Sequence, residues 1–454
     1  MKHVDRTRFT TTTLRLGVKR VRITRPNPHQ YGHLGLEMVM SLAHARQEGG
    51  DVYFVRSSAP LGSGLFELES PHVRVLRRPP RVVRELFRIC ISWLRLRGRV
   101  GRWRNQLREE VERELVREVT RYVVNPGLPQ QVREALRATR GRLRASLERA
   151  ARNRRRGPHY YERRLLREPV PVRLHPAASD AAAGQARAHG IPVDARLVCI
   201  HARESGYKRG QEIQDTKPGD GRDDRTRNAK IESYLLAVDY LVQRGYTVIR
   251  LGDPTMSPLC HPGVVDLATS GARTNLLEVS CLLRSDFIIA GESAYVNLVY
   301  LTNTPILLVN ATEPISAYPI RAPGLFLPKT VVDRRDGRRL TSLELLTLEY
   351  HRQLRDTRRY LYVDNSPEQL LEATREMLEW LGGDWGESPG QRSYHEAIMS
   401  ASARLRRSSA YVRKWGLHDG FLGDGRIARV AIGEAAEGLP STGPGDALAR
   451  AVTP

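Results

Sequence analysis

The chain is poor in cysteine. Its 454 residues hold four, Cys90, Cys199, Cys260 and Cys281. Their spacing matches no thiolate zinc pattern, and three sit among apolar neighbours, so they read as reduced core thiols. Long apolar runs are missing too. No stretch reaches 18 consecutive apolar residues, so no segment reads as a transmembrane helix. The opening MKHVDRTRFTTTTLRLGVKRVRI lacks the continuous apolar core of a secretion signal. These absences give the expectation of a cytoplasmic protein. Aromatic residues make up 6% of the chain. Lysine stands at seven positions only, so nearly all the positive charge is arginine.

Arginine, by contrast, is abundant. The formal net charge is +23, a field that favours anionic partners. It is unevenly spread. Residues 81–168 carry 25 Arg against 10 Glu, an excess of 15 positive charges. The remainder is only mildly basic, unlike a catalytic domain built for nucleic acid. In RVVRELFRICISWLRLRGRV (81–100), Arg81, Arg84, Arg88, Ser92, Arg95 and Arg99 fall three or four apart on one helical face. An Arg/Glu-rich helical pattern continues over 104–156, broken at Asn125-Pro126-Gly127. The expectation is a basic helical insertion at about 81–168, read first as a solvated helical hairpin, with docking on an anionic membrane surface as the functional alternative. Nucleic acid is the lesser reading, because aromatics for base stacking are sparse there.

Outside that segment the pattern alternates strands and helices. VKRVRITR (18–25) reads as a strand, LGLEMVMSLAHARQEG as a helix with Leu34, Met38, Leu42 and Ala45 on one face, and DVYFV (51–55) as a strand. Together they form a βαβ unit with a parallel sheet. The proline-rich EPVPVRLHP reads as an extended linker. A second α/β series follows, with strands at ARLVCIHAR, TVIRLGD, DFIIAGES and PILLVN. Its helices include NAKIESYLLAVDYLVQRG and SPEQLLEATREMLEWLG, the latter with Ser366 as N-cap, Pro367 at N1 and Gln369 at N3. The fold class expected is α/β: two facing Rossmann-like, doubly wound domains, the first carrying the basic insertion. The boundaries expected are 1–170, a linker at 171–189, a second domain at 190–382 and a tail at 383–454 whose last two dozen residues are disordered.

In open α/β sheets, ligands bind beyond the carboxyl ends of the strands. His201 and Arg203 end one strand, Gly252 and Asp253 the next, and Gly291, Glu292 and Ser293 a third. Arg203 can hold two phosphate oxygens through its planar fork. The turn at 291–293 opens a helix whose amides would face an anion, and Gly291 would permit close approach. Glu292 is repelled by phosphate, so a sugar hydroxyl is its expected partner. Arg250 is a weaker candidate, because strand alternation can turn it away. Asn228, preceded by Arg227, either orients the ligand or caps the next helix. Asn297 completes the candidate donor set.

The runs HARESGY, RNAKIESYLLAVDYLVQRGYTVIRLGD, DFIIAGESAYVNLVYLTNTPILLVN and YVDNSPEQLLEATREMLEW, in that order, resemble a family of bacterial glycosyltransferases. YGHLGLEM fits that family's Gly-His-Leu loop. The resemblance covers about residues 18–60 and 195–385 and is distantly similar to the GT-B fucosyltransferase-like group, where an H-x-R arginine contacts the donor's diphosphate. It implies a GT-B glycosyltransferase with a nucleotide-sugar in the C-terminal half and an acceptor in the N-terminal half. The activity expected is transfer to a glycan or lipid-linked acceptor in surface polysaccharide or glycoconjugate synthesis, with the basic segment holding the protein peripherally at the inner membrane face. Glu292 stands where a small residue is more usual. Arg203 would stabilise the departing diphosphate.

For the general base, His33 in the first βα loop has an imidazole suited to deprotonating an acceptor hydroxyl, and Glu37, one turn onward, could orient it. No cofactor and no metal is required. Asp220, Asp223 and Asp224 in DTKPGDGRDDRTRN are read as a solvated loop that closes over the donor, since an acidic Mg²⁺ motif normally follows a strand. A nucleotide-sugar epimerase would need G-x-G-x-x-G after the first strand, and PHQYGHLG supplies none. The non-enzymatic alternative is a basic protein binding nucleic acid or anionic membrane through 81–168.

Overall fold

A computed structural model describes residues 10–16, 19–26, 31–54, 63–75, 163–206, 223–408 and 422–433, with scattered positions between 114 and 141. The chain divides into two compact units, residues 1–76 with 162–454, and residues 77–161. Most of the basic segment 81–168 lies outside the described residues, as do Asp220 and everything beyond 433. The described end of that segment belongs to the larger unit. Arg163 is buried there and donates to three carbonyls, of Leu422 (2.8 Å), Ser316 (2.9 Å) and Tyr318 (2.6 Å). Arg163 therefore ties separate chain segments together.

The expected βαβ unit is present. Strand β2 (Lys19–Arg25), helix α1 (Tyr31–Glu48) and strand β3 (Asp51–Phe54) connect in that order, β2 and β3 parallel. An additional strand, β1 (Thr10–Leu16), pairs antiparallel with β2. Leu34, Met38, Leu42 and Ala45 are buried, as their spacing requires. Strand β4 (Leu68–Glu69) pairs with β5 (Arg173–Leu174).

The stretch 171–189 is not simply a linker. Most of it is helix α2 (Pro176–Ala188), with proline in the first turn and the His175 ring as N-cap, accepting from the Ala178 amide at 3.3 Å. Alanine-rich composition behind a competent cap outweighs the prolines around it.

The second series follows as β6 (Arg196–His201), α3 (Leu235–Gln243), β7 (Tyr246–Arg250), β8 (Val264–Asp266), α4 (Asn275–Arg284), β9 (Ser285–Ala290), α5 (Tyr295–Thr302), β10 (Ile306–Ala311) and β11 (Gly324–Pro328). Beyond these lie β12 (Thr330–Asp333), α6 (Leu348–Arg352), β13 (Tyr360–Val363), α7 (Pro367–Gly382), α8 (Pro389–Ser408) and β14 (Arg426–Ile427). The capping box expected at the start of α7 is formed.

Seven strands make one parallel sheet in the order β14-β11-β10-β9-β6-β7-β8. β6 is central, and Leu197 to Ile200 are fully buried, each aliphatic side chain contributing about 1.5–3 kcal/mol. The fold does not stop at 382. β14 pairs with β11, and the buried Gln391 of α8 donates to Glu376 of α7 and to the Ile427 carbonyl. Residues 389–408 and 422–433 are thus part of the sheet's packing rather than a tail.

Helix α1 packs directly on α5. A Cβ added at Gly32 would lie 2.8 Å from the Ala294 Cα, and one at Gly35 2.5 Å from a Leu298 methyl. The two glycines let the helices approach closely, which joins the N-terminal βαβ unit to the large sheet.

Candidate functional site

The chain runs outward from β6 to β7 and β8, then returns to place β9 on the other side of β6. The gap between the carboxyl ends of β6 and β9 is therefore the topological switch point, where this architecture binds ligands. The sequence candidates meet there. The Gly291 amide donates to the His201 carbonyl at 3.1 Å, and the Leu251 amide to the Ile200 carbonyl at 2.9 Å, so the three strand ends lie side by side. An added Cβ at Gly291 would meet nothing closer than the Val309 carbonyl oxygen at 3.8 Å and the Arg203 amide nitrogen at 4.0 Å. Packing within the protein does not demand a glycine here; the missing side chain leaves room beside the Arg203 backbone. Among the described residues, the next three amides, of Glu292, Ser293 and Ala294, donate to no protein acceptor. The following one, of Tyr295, is taken by the Ser293 hydroxyl at 3.3 Å.

Arg203 is buried. Its guanidinium donates to the Asp224 carbonyl at 3.0 Å and to Asn228 Oδ1. Asn228 in turn donates to the Ser205 hydroxyl at 2.8 Å, and the buried Lys329 ammonium reaches the Asn228 carbonyl and Asp364, each at 2.6 Å. Asn228 therefore does not cap the next helix; it aims Arg203. Arg227 reaches the same place, pairing with the Asp224 carboxylate at 2.9 Å and approaching the Glu292 carbonyl at 3.4 Å.

Five candidates take different roles from those expected. Arg250 is fully buried and pairs with Asp266 at 2.9 Å and Glu204 at 3.5 Å. Its guanidinium stays at the strand ends but is taken up by the protein's own acceptors there, the Ser257 carbonyl among them at 2.5 Å. Glu292 turns inward. Its carboxylate accepts from the Thr312 hydroxyl (2.6 Å), the Thr312 and Glu313 amides (3.1 and 3.2 Å) and Arg355 (3.3 Å), so it is occupied by the protein and not directed at a sugar. His201 holds the Leu251 carbonyl through Nδ1 at 3.0 Å. Burial lowers its pKa to about 4, so near neutral pH it carries no charge. With its proton on Nδ1, the other ring nitrogen can only accept, which removes His201 as a phosphate donor. Asp253 accepts from the Thr255 amide at 3.0 Å and from its hydroxyl, and Gly252 is packed against Met256 and Ala268; both shape the loop after β7.

His33 lies in the first turn of α1 rather than in a loop, and the buried Glu37 follows one turn later. The start of α1 adjoins the switch point through aromatic contacts. Tyr31 meets Tyr295 edge-on at 6.3 Å, and Tyr295 lies 4.5 Å from the His201 ring. Asn297 sits in the first turn of α5, half-buried.

Two features were not foreseen. Arg355 stands within an arginine-rich stretch that shows no pattern, yet it is buried, adopts a left-handed backbone (φ 64°) and bridges Glu292 to Asp224. Asn310, which ends one quoted motif, and Asn365, near the start of another, bond each other's backbone amides at 2.7 and 2.6 Å, locking the end of β10 to the entry of α7. A cavity of about 520 Å³ lined by Arg196, Tyr246 and Asp286 opens at the opposite, amino-terminal ends of the strands.

No family model and no curated protein matches the chain. Similar solved structures include a glycosyl transferase family 9 protein from Veillonella parvula DSM 2008, at 13% identity over 31% of this chain and 36% of that one, with a TM-score of 0.22. Another is the dodecameric iron-containing heptosyltransferase TibC in complex with ADP-D-beta-D-heptose, at 13% identity over 42% of this chain and 46% of that one, with a TM-score of 0.24. A further structure, TibC from enterotoxigenic E. coli H10407, is 14% identical over the same shares, with a TM-score of 0.25. The chain spans less than half the length of each.

Proposed function

We propose that the protein is a glycosyltransferase that moves a sugar from a nucleotide-sugar to an acceptor hydroxyl. The observation that carries this reading is the pairing, at the switch point, of a buried Arg203 with three consecutive unpaired amides behind an unfilled glycine. Such a lining suits a diphosphate. As the acceptor oxygen bonds to the anomeric carbon, the bond from that carbon to the diphosphate breaks. The charge left on the phosphate is met by Arg203, Arg227 and the turn amides, fixed before the reaction begins. The acceptor's proton passes to His33, with Glu37 beside it, from the first turn of α1, which packs against Ala294 just past the turn. A GT-B arrangement, metal independence, a surface-polysaccharide or lipid-linked acceptor and a place on the inner membrane face are further parts of the proposal.

A thermal-shift panel of GDP-, UDP-, ADP-, CMP- and dTDP-linked sugars tests it, since a ligand that prefers the folded state raises the melting temperature. One donor is expected to raise it, to be hydrolysed slowly, and to lose its effect with Arg203→Ala. A full panel without a shift, or undiminished donor binding by Arg203→Ala, defeats the reading.

A further inference from the structure

The cavity of about 520 Å³ at the amino-terminal ends of the strands is lined by residues that the proposed donor site does not use. Arg196 opens β6, Tyr246 opens β7, and Asp286 is the second residue of β9, so three neighbouring strands supply one part of the lining. Leu378, Leu381 and Gly382 supply another from the last turns of α7, and Arg244, the C-cap of α3, completes it. The volume falls within the roughly 300–1,000 Å³ of small-molecule pockets.

Each guanidinium lies over a tyrosine ring. Arg196 is 4.2 Å from the centre of Tyr246, and Arg244 is 3.9 Å from that of Tyr240. Stacking of this kind orders long side chains and leaves N–H groups for other acceptors. Arg196 donates to the Tyr246 hydroxyl and to Asp286, the latter at 3.2 Å. Among the described residues, Arg244 donates to no acceptor. Two arginines in the lining thus stand against one carboxylate. The dipole at the end of α3 accounts for a cation at position 244. It does not account for a ligand-sized space beside it, bounded by two leucines that stay half-buried.

We propose that this cavity binds a small organic anion, a carboxylate or phosphate head on a flat apolar body. The head lies against Arg196 and Arg244. The body lies over Leu378 and Leu381, because the carboxyl end of α7 carries partial negative charge and disfavours an anion beside it. A flat body suits guanidiniums that already stack on rings. The proposal does not depend on the donor reading. His201 lies about 17 Å along β6 from Arg196, at about 3.3 Å per residue, so a ligand held here does not compete for the switch point.

Fluorescence titration of the whole chain with 1-naphthoate, 1-naphthyl phosphate and the neutral 1-naphthamide tests this. At least one anion is expected to bind, and the tighter of the two identifies the head group. Naphthamide should bind at least about fivefold more weakly, and Arg244→Met should weaken the anion by a similar factor without changing naphthamide. Gly382→Phe should abolish binding of all three. An added Cβ there meets only an Asp384 carboxylate oxygen, at 3.7 Å, which leaves room for the ring without disturbing the fold. Arg203→Ala should bind the anion as the parent does. Failure of both anions to bind the parent overturns the proposal, as does naphthamide binding as tightly as they do. Anion binding unchanged in both Arg244→Met and Gly382→Phe, each with a cooperative melt, also overturns it. Binding lost in Arg203→Ala alone would put the ligand at the switch point instead.

Discussion

The amide of Gly291 donates to the carbonyl of His201 across 3.1 Å. This one bond fastens the loop after β9 to the loop after β6, and it spends the Gly291 N–H on the protein. What Gly291 offers a ligand is therefore space, while the amides of Glu292, Ser293 and Ala294 offer hydrogen bonds.

Gly291→Val separates these roles. Nothing in the protein lies closer than 3.8 Å to an added Cβ, which is ordinary van der Waals contact, so the two methyls of valine project beyond a position that is itself unclashed and the melting temperature is expected to move by a few degrees, equivalent to about 1 kcal/mol. Binding of pyrophosphate or of the donor found by thermal shift should fall at least about tenfold on the proposed reading, because the side chain takes up space at the turn beside the Arg203 backbone. A destabilised Gly291→Val that still binds normally would mean that this glycine serves packing alone.

The Glu292–Arg355 pair makes the opposite prediction. Both groups are buried, and removing one partner of a buried pair typically costs about 3–5 kcal/mol. Glu292→Gln should lower the urea midpoint accordingly. Adding Arg355→Met should recover part of the loss, because the buried guanidinium that has lost its deeper carboxylate is gone. Additive losses in the double variant would show that the two residues act separately.

The sheet and the convergence of three strand ends were legible because both follow from local pattern. Short apolar runs such as Leu197–Ile200, set between helices in an alternating series, read as interior strands of a parallel sheet, and the alternation of elements fixes where their ends lie. The roles of individual polar residues were not legible. Whether Glu292 faces a sugar or Arg355 depends on a residue 63 positions away, and no spacing rule reaches that far. The same holds for Asn310 and Asn365, whose bond spans 55 positions. Helix α2 and the strand at Arg426 were missed for a simpler reason: proline and glycine nearby suggested irregular chain, while caps and sheet pairing decided otherwise.

Close packing of α1 on α5 predicts unequal effects at its two glycines. At Gly32 an added methyl meets backbone, the Ala294 Cα at 2.8 Å and its oxygen at 2.9 Å; at Gly35 it meets the end of the Leu298 side chain. Backbone cannot yield without moving α5, so Gly32→Ala should cost about 1–3 kcal/mol, while a rotamer change absorbs most of Gly35→Ala. Denaturant midpoints of the two variants check the order. Equal costs would indicate that α5 itself shifts freely.

His201 supplies a pH dependence with a definite sign. Burial lowers its folded pKa from 6.5 to about 4. The unfolded chain therefore takes up a proton at this residue as pH falls through about 6.5, while the folded protein refuses it until about 4. Between those values the unfolded state binds more protons, so stability drops as pH drops, by up to about 3 kcal/mol from this residue. Above 6.5 and below 4 the contribution is flat. His201→Asn keeps a donor for the Leu251 carbonyl but cannot titrate. Unfolding free energies measured at pH 7 and pH 4.5 should therefore differ by about 2–3 kcal/mol more in the parent than in His201→Asn. Carboxylates elsewhere act equally on both proteins and cancel in that comparison. An identical pH response in the two would show that the ring gains a proton in the folded state and that its Nδ1–H is not fixed on Leu251.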